Sequence, residues 1–492
     1  MISIGLSGVV FLVCLYMGRR SLVAGLCALT TVGYAYGLLR ANLPDGFSHL
    51  IFDAATLGLY VAQFGLRQPL WQHARAEDVR NWLIVLIAWP VMLFAMPWQD
   101  PLIQLVGLRG SIFLLPFILL GARLTGDDVY KLGLWFSVLN LAAGGLALAE
   151  YTLGVDRFFP RNAVTEIIYR SKDLANFTAF RIPSSFGNAH AYAATMVLTT
   201  VIIAGSWVQG HHGRWQPRLM SAALLMSMLG VFMSATRINA LILFALIVTS
   251  IFTGRMKGAY RFRWLILLAV LAYGVGGDER LQRFRSLQDR EFIAQRFGDS
   301  VNVSFFELLR KYPLGNGLGG GGTSVPYFLQ NRLRNVVVME NEYARILLEL
   351  GIPGLLMWVL FIGWVFTRRQ IKTTDMFYFG RRLAFVAVAS TFATGLIGTG
   401  MLTSVPSTAI VLLLTGWIVV PEVRFAPRLR APRYGEAGSG TAGFVEAGVS
   451  PESRSLPRRS AQREGGWLPP LGGRLPQARK INSSIVDDAR TT

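Results

Sequence analysis

Cysteine and histidine are scarce in this chain: its 492 residues include two cysteines and five histidines. Cys14 and Cys27 both lie within apolar segments, so neither a disulfide framework nor a thiolate metal site is supported. The sequence contains no P-loop, no HExxH and no cysteine or histidine cluster, which argues against nucleotide-driven pumping and a histidine-rich metal centre. A carboxylate-held metal stays open, although the reading requires no metal and no cofactor. Charge is sparse too. Only 15% of residues are charged against 52% apolar, and the mean hydropathy of +0.43 is too high for an ordinary soluble enzyme.

What is abundant is apolar sequence in runs long enough to cross a hydrocarbon core of ~30 Å. Spans are expected near 2–18, 21–39, 50–66, 81–97, 101–121, 132–153, 189–208, 219–235, 238–254, 264–277, 346–367, 383–400 and 405–420. The fold class is therefore an all-α, polytopic transmembrane helical bundle of about 12–13 spans. The apolar N-terminus lacks a basic n-region and reads as a first span rather than a cleaved signal.

The formal charge of +20 is topological before it is anything else, and no nucleic-acid partner is expected. Arg19 and Arg20, the stretch with Arg67, Arg75 and Arg80, Arg123 with Lys131, Arg214 with Arg218, Arg255 to Arg263, and Arg368 to Arg382 lie in short basic connections. The positive-inside bias assigns these to the cytoplasm. Two long connections, 154–188 and 278–345, then fall on the outer side, where loops of such length carry function. In the second, Phe292, Phe297, Val301, Phe305, Phe306 and Leu309 are spaced like one face of short amphipathic helices, lying on the membrane or packed on the bundle. The expected organisation is an N-terminal bundle over 1–277, a large outer loop over 278–345 and further spans over 346–420. A disordered tail rich in Arg, Pro, Gly and Ser follows over 421–492.

Ionisable groups inside a membrane are costly and each calls for a partner. Arg109 interrupts the run PLIQLVGLRGSIFLLPFILLG and needs a carboxylate, a phosphate or water; Glu150 is one candidate counter-ion. The segment FRIPSSFGNAHAYAATM, 180–196, places Arg181 among Ser184, Ser185, Asn188 and His190 just before a span. That grouping suits a phosphate or sugar site, or equally a capped helix start. In FMSATRINALIL, 232–243, Arg237 is the lone charge of a tight turn between two spans, able to donate a fork of hydrogen bonds to phosphate or to anchor at the interface. In VVVMENEYARILLELGIPGLLMWVLF, 336–361, Glu340, Asn341, Glu342, Tyr343, Arg345 and Glu349 crowd a helix start. Upstream, GNGLGG is formally a GxGxxG, but no strand precedes it; it reads as a hinge or a close backbone approach to a glycan.

These segments, in this order, resemble the O-antigen ligase and polymerase family. RIPSSFGN at 181–188 is similar to its R-x-x-G/S-x-F-x-N element, and SATR at 234–237 to its Ser-Arg turn with one extra residue. PLGNGLGGGG and ENEYARILLELGIPGLL resemble its glycine-rich loop and the H-N-x-Y-x-x-x-L-x-E-x-G segment that follows. Ligases usually carry His where this chain has Glu340, which turns the expectation toward a polymerase of O-antigen or exopolysaccharide repeat units. The resemblance implies metal-independent, inverting glycosyl transfer at the periplasmic face of the bacterial inner membrane, from a polyprenyl-diphosphate-linked glycan donor to a glycan acceptor. It assigns catalysis to Glu340, Arg237 and Arg181, and substrate binding to Arg109, Asn188, His190, Asn341, Tyr343 and Arg345. A chain-length regulator and a flippase of the same pathway are the expected partners besides the lipid bilayer. A ligase and a lipid-linked oligosaccharide transporter are the rival readings.

Overall fold

The computed structural model describes residues 2–64, 70–170, 180–209, 213–253, isolated positions between 290 and 298, 304–322, 325–334, 337, 341–368, 377–398 and 400–420. All of them belong to one compact unit, Met1–Arg424. The expected span 264–277, the candidate base Glu340, the apolar positions Phe292, Phe297 and Val301, and the tail 421–492 lie outside the described residues.

Among the described residues the protein is helical, with no β-strand. Two helices, α1 (Ile2–Arg20) and α2 (Leu22–Asn42), lead through a 3-10 turn at Gly46–Leu50 into α3 (Ile51–Phe64), α4 (Leu70–Phe94), α5 (Pro101–Ile112) and α6 (Pro116–Ala122). Then come α7 (Gly126–Leu153), the short α8 (Glu166–Arg170), α9 (Ala189–Gln209), α10 (Gln216–Met233) and α11 (Arg237–Phe252). The chain continues with α12 (Ser304–Lys311), α13 (Glu342–Thr367), α14 (Tyr378–Thr394) and α15 (Ser407–Val419). Among the described residues, seven stretches are long and apolar enough to cross a membrane: α1, α2, the α5–α6 pair, α7, α9, α10 and α13. The protein is an all-α polytopic membrane bundle. Outward-facing apolar side chains such as Ile2, Leu12, Leu241 and Phe252 are its lipid-facing surface.

With hydrocarbon outside, helices gain nothing from hiding apolar surface against one another, so contact rests on close backbone approach and on polar pairs. Both occur. A Cβ on Gly121 of α6 would come within 1.9 Å of the Leu413 carbonyl oxygen of α15, and one on Gly416 within 1.9 Å of that of Ile118. At the bundle centre, Tyr34 Oη donates to Asn140 Oδ1 at 2.5 Å, and Asn140 Nδ2 donates to Thr199 Oγ1 at 2.9 Å and Ser227 Oγ at 2.7 Å. One buried amide thus ties α2, α7, α9 and α10.

Two expected spans are broken. The run containing Arg109 stops at residue 112 and restarts at Pro116, whose missing N–H is no loss at a helix start. The run 346–367 is interrupted inside α13 at Gly351 (φ +70°), two residues before Pro353. Backbone groups opened at such a break need partners where water is excluded. Here the Leu348 carbonyl accepts from Asn316 N (2.6 Å), the Leu350 carbonyl from Trp89 Nε1 (2.8 Å), and Ile352 N donates to the Pro313 carbonyl (2.8 Å). The glycine-rich loop is therefore a splint for a broken helix. Its close backbone approach is to α13 and to Gly107 of α5, where a Cβ would lie 2.1 Å from Gly319 N.

Contacts between helices, such as Tyr130 with Gln216 and Gly205 with Gly380 at one side and Leu38 with Ser185 at the other, sort the helix ends into two groups. The ends of α1, α9 and α13 and the starts of α2, α10 and α14, with Arg19, Arg20, Arg214, Arg218 and Arg368 at or beside them, share one end. The 42–50 connection, 154–170 and 180–188, the 234–236 turn, the start of α13, 395–398 and 400–406 share the other.

Candidate functional site

At this second end the loops bond to one another. Leu38 N donates to the Ser185 carbonyl (3.2 Å), Asn162 Nδ2 to that of Ala41 (2.9 Å) and Glu342 N to that of Gly395 (2.8 Å). A Cβ on Gly37 would come within 2.0 Å of the Phe186 carbonyl carbon, so the 181–188 loop lies directly on the α2 backbone.

Arg181 is buried, 3% exposed, although it sits in a loop. Its Nε donates to the Ser234 carbonyl (3.1 Å) and its Nη2 to that of Ala235 (3.4 Å), which clamps the loop to the α10–α11 turn just ahead of Arg237. Nη1 lies 3.1 Å from His190 Nε2. A guanidinium only donates, so the contact requires that nitrogen to be the unprotonated acceptor. The two non-glycine residues with left-handed φ among those described, Ser184 (+50°) and Ala235 (+48°), fall in the two segments that Arg181 joins. Such backbone persists only where its surroundings over-determine it. Ser184 N donates to Glu150 Oε2 (2.8 Å) and Ser184 Oγ to the Ala143 carbonyl (2.7 Å). Glu150 is therefore engaged by the loop and is not the counter-ion of Arg109. Asn188 caps α9, its Oδ1 accepting from Ala191 N at 2.8 Å.

The α13 group separates from these residues in character. Arg345, 2% exposed, donates to Glu342 Oε1 from Nε (3.0 Å) and Nη2 (2.7 Å), and to Glu349 Oε2 from Nη1 (2.8 Å). Glu342 Oε2 in turn accepts from Gly400 N (2.7 Å). Asn341 caps the helix through Ala344 N (2.5 Å), and Tyr343 Oη donates to the Phe392 carbonyl (2.8 Å). These side chains are committed to building the start of α13 and holding it against residues 392–400.

Between these loops lies a cavity of about 860 Å³. Its walls are largely apolar and include the rings of Tyr36, Phe47, Phe52, Phe113, Phe159 and Phe328. Its polar lining includes Arg40, His49, Asp53, Arg109, Asn188 and Ser404. Of the sequence-predicted residues, Arg109 and Asn188 reach it. Arg181, Arg237, His190, Asn341, Tyr343 and Arg345 do not line it. Arg109 pairs with Asp53 of α3 through both oxygens, Nη2 to Oδ1 at 2.6 Å and Nε to Oδ2. The carboxylate demanded by Arg109 exists, then, but on a different helix from the expected one. Arg40 sits 5.2 Å above the Tyr36 ring, with Nη2 3.2 Å from His49 Nε2. Burial, then the charges of Arg40 and Arg109, push the His49 imidazole down to about 3, so it is neutral at ordinary pH.

Sequence reasoning missed Arg40, His49 and Asp53. Asp53 had a usable signal: IFDAATLGLYVAQF puts a carboxylate in an apolar run, the same anomaly that singles out Arg109. A largely apolar cavity with two guanidinium groups and a neutral imidazole suits a ligand that is anionic at one end and apolar or ring-bearing over the rest. Neither the family models nor the curated proteins compared with this chain give a match.

Proposed function

We propose that this protein is a glycosyltransferase of the bacterial inner membrane that polymerises polyprenyl-diphosphate-linked glycan repeat units at the periplasmic face. The observation that carries the reading is the Arg181 clamp. It brings the RIPSSFGN and SATR segments, 53 residues apart, together beside a cavity of about 860 Å³. The positive-inside bias supports the orientation, since the end bearing Arg19, Arg20, Arg214 and Arg218 is opposite the cavity.

In the reaction, the bond from the donor sugar's anomeric carbon to the diphosphate oxygen breaks as one to an acceptor hydroxyl oxygen forms. The hydroxyl proton passes to a carboxylate and the lipid diphosphate leaves. Negative charge on that leaving group, in a low-dielectric site, is stabilised by guanidinium groups already fixed in place. Arg109, which lines the cavity, takes that role; Arg237 is assigned to it by its place in the motif alone, with Arg181 holding its turn. Glu340 is the base by its position in the motif.

The test is purified protein in liposomes with one lipid-linked repeat unit and no nucleotide, followed by sizing of the product. Ladders of increasing length support a polymerase. Transfer of only preassembled chains to a lipid or protein acceptor would mark a ligase instead. The Arg109–Asp53 pair within the bundle also favours a transporter, since intramembrane ion pairs often line transport paths. Movement of intact substrate between leaflets without new glycosidic bonds would establish that reading.

A further inference from the structure

The protein holds two prominent arginine–carboxylate groupings at this end, and they differ in one respect. Arg345 and its carboxylates are 2% and 0% exposed and enclosed by protein. The Arg109 and Asp53 side chains are 37% and 13% exposed, and both line the cavity. The Arg109–Asp53 pair is therefore within reach of whatever the cavity holds. Asp53 also occupies the Nε/Nη2 edge of the guanidinium, an edge that matches two oxygens of a phosphate as well as it matches a carboxylate.

Arg40 completes the arrangement from α2. It gives Nη2 to His49, and its buried Nε has no hydrogen-bond partner among the described residues. His49 is held by protein on both sides: the Tyr36 hydroxyl donates to its carbonyl (3.2 Å), and its ring lies edge-on to Phe328 with centroids 5.8 Å apart. With His49 neutral, two cations face one anion, so the lining carries an excess of one positive charge.

The geometry points to Arg40, His49 and Arg109 as a binding site for a phosphate or diphosphate carried on an apolar chain, with Asp53 as a built-in placeholder that the incoming phosphate displaces from Arg109. The apolar walls select the apolar carrier and the cations select the head group. This inference rests on the cavity being the donor site, as proposed above. It adds that the anion is recognised in the cavity itself, by residues outside the three motif segments. It also makes Asp53 a competitor of the ligand rather than a contributor to binding.

The opposite signs expected of Asp53 and Arg109 make the test decisive. Binding of farnesyl diphosphate and of inorganic pyrophosphate to the purified full chain in nanodiscs would be measured by calorimetry, without turnover. Farnesyl diphosphate is expected to bind. Arg40→Ala and Arg109→Ala should weaken it by about tenfold or more, the loss of a charge-assisted hydrogen bond. Asp53→Asn should tighten it by about threefold or more, because the fork is left open. Weaker binding by folded Asp53→Asn would overturn the placeholder role. Equal affinity for pyrophosphate would overturn the lipid-borne ligand in favour of a free-phosphate site. Should Asp53→Asn fail to fold, Arg40→Ala decides alone, since it leaves the Arg109–Asp53 pair intact; unchanged affinity would overturn the proposal. Binding that responds as described in a protein forming no glycosidic bond would count against glycosyl transfer and not against this site.

Discussion

Arg181 Nε donates to the carbonyl oxygen of Ser234 at 3.1 Å, and this contact joins two loops that enter the membrane as α9 and α11. An arginine buried on main-chain carbonyls is a structural clamp first. What it positions is the left-handed turn at Ala235 and hence the start of α11, where Arg237 sits.

Replacing Arg181 by Lys keeps the charge and loses the fork, because one ammonium cannot reach the Ser234 and Ala235 carbonyls and the His190 ring together. A buried carbonyl left without its charged donor costs about 1–3 kcal/mol. Arg181→Lys should therefore lower the melting temperature in detergent and reduce polymer yield together. Wild-type melting with lost polymer would instead mean that the guanidinium touches substrate directly.

The α13 triad gives a harsher expectation. Arg345→Met leaves Glu342 and Glu349 facing each other, both fully buried, and removing one partner of such a pair costs about 3–5 kcal/mol. Little monodisperse protein should survive solubilisation. The triple change Arg345→Met, Glu342→Gln, Glu349→Gln removes the charges together and should recover much of the loss, as size-exclusion profiles after a heat step would show. A fully stable single variant would mean that the carboxylates take up protons without penalty.

The contrast between these two arginines bears on what sequence reveals. The helices were legible because apolar runs of about twenty residues have few alternatives in a bilayer. Arg109 was legible for the complementary reason, as a charge in such a run. Its partner was not, because hydropathy does not say which helices are neighbours: Glu150 and Asp53 are equally plausible until α3 is seen beside α5. Arg40 looked like any arginine closing a span, and only the 3-10 turn at Gly46–Leu50 brings His49 to it. The break at Gly351 was written in the Gly-Ile-Pro spelling, yet its meaning came from the distant loop that satisfies the opened backbone.

Glycine substitutions separate backbone contact from mere helix weakness. Gly37→Ala would drive a Cβ to 2.0 Å from the Phe186 main-chain carbon and should displace the 181–188 loop. A methyl on Gly145, in α7, would meet no atom within 4 Å, so Gly145→Ala should stabilise by about 0.5–1 kcal/mol through helix propensity alone. Opposite shifts in melting temperature are expected. Equal shifts would mean that the loop does not rest on α2.

His49 supplies a pH signature. Its imidazole is held down to about 3, against an ordinary value of 6.5, by burial and by the two arginines. Between those values the unfolded chain binds a proton at this residue that the folded chain refuses, so stability rises with pH. The contribution is complete above about pH 6.5 and is lost progressively as the pH falls toward 3. His49→Gln keeps a side-chain acceptor for Arg40 without titrating. Its melting temperature should therefore fall less than that of the wild type from pH 7 to pH 4, although carboxylates titrate in both proteins. Parallel curves would show that His49 accepts a proton in the folded state, and that Arg40 does not hold its Nε2 as an acceptor.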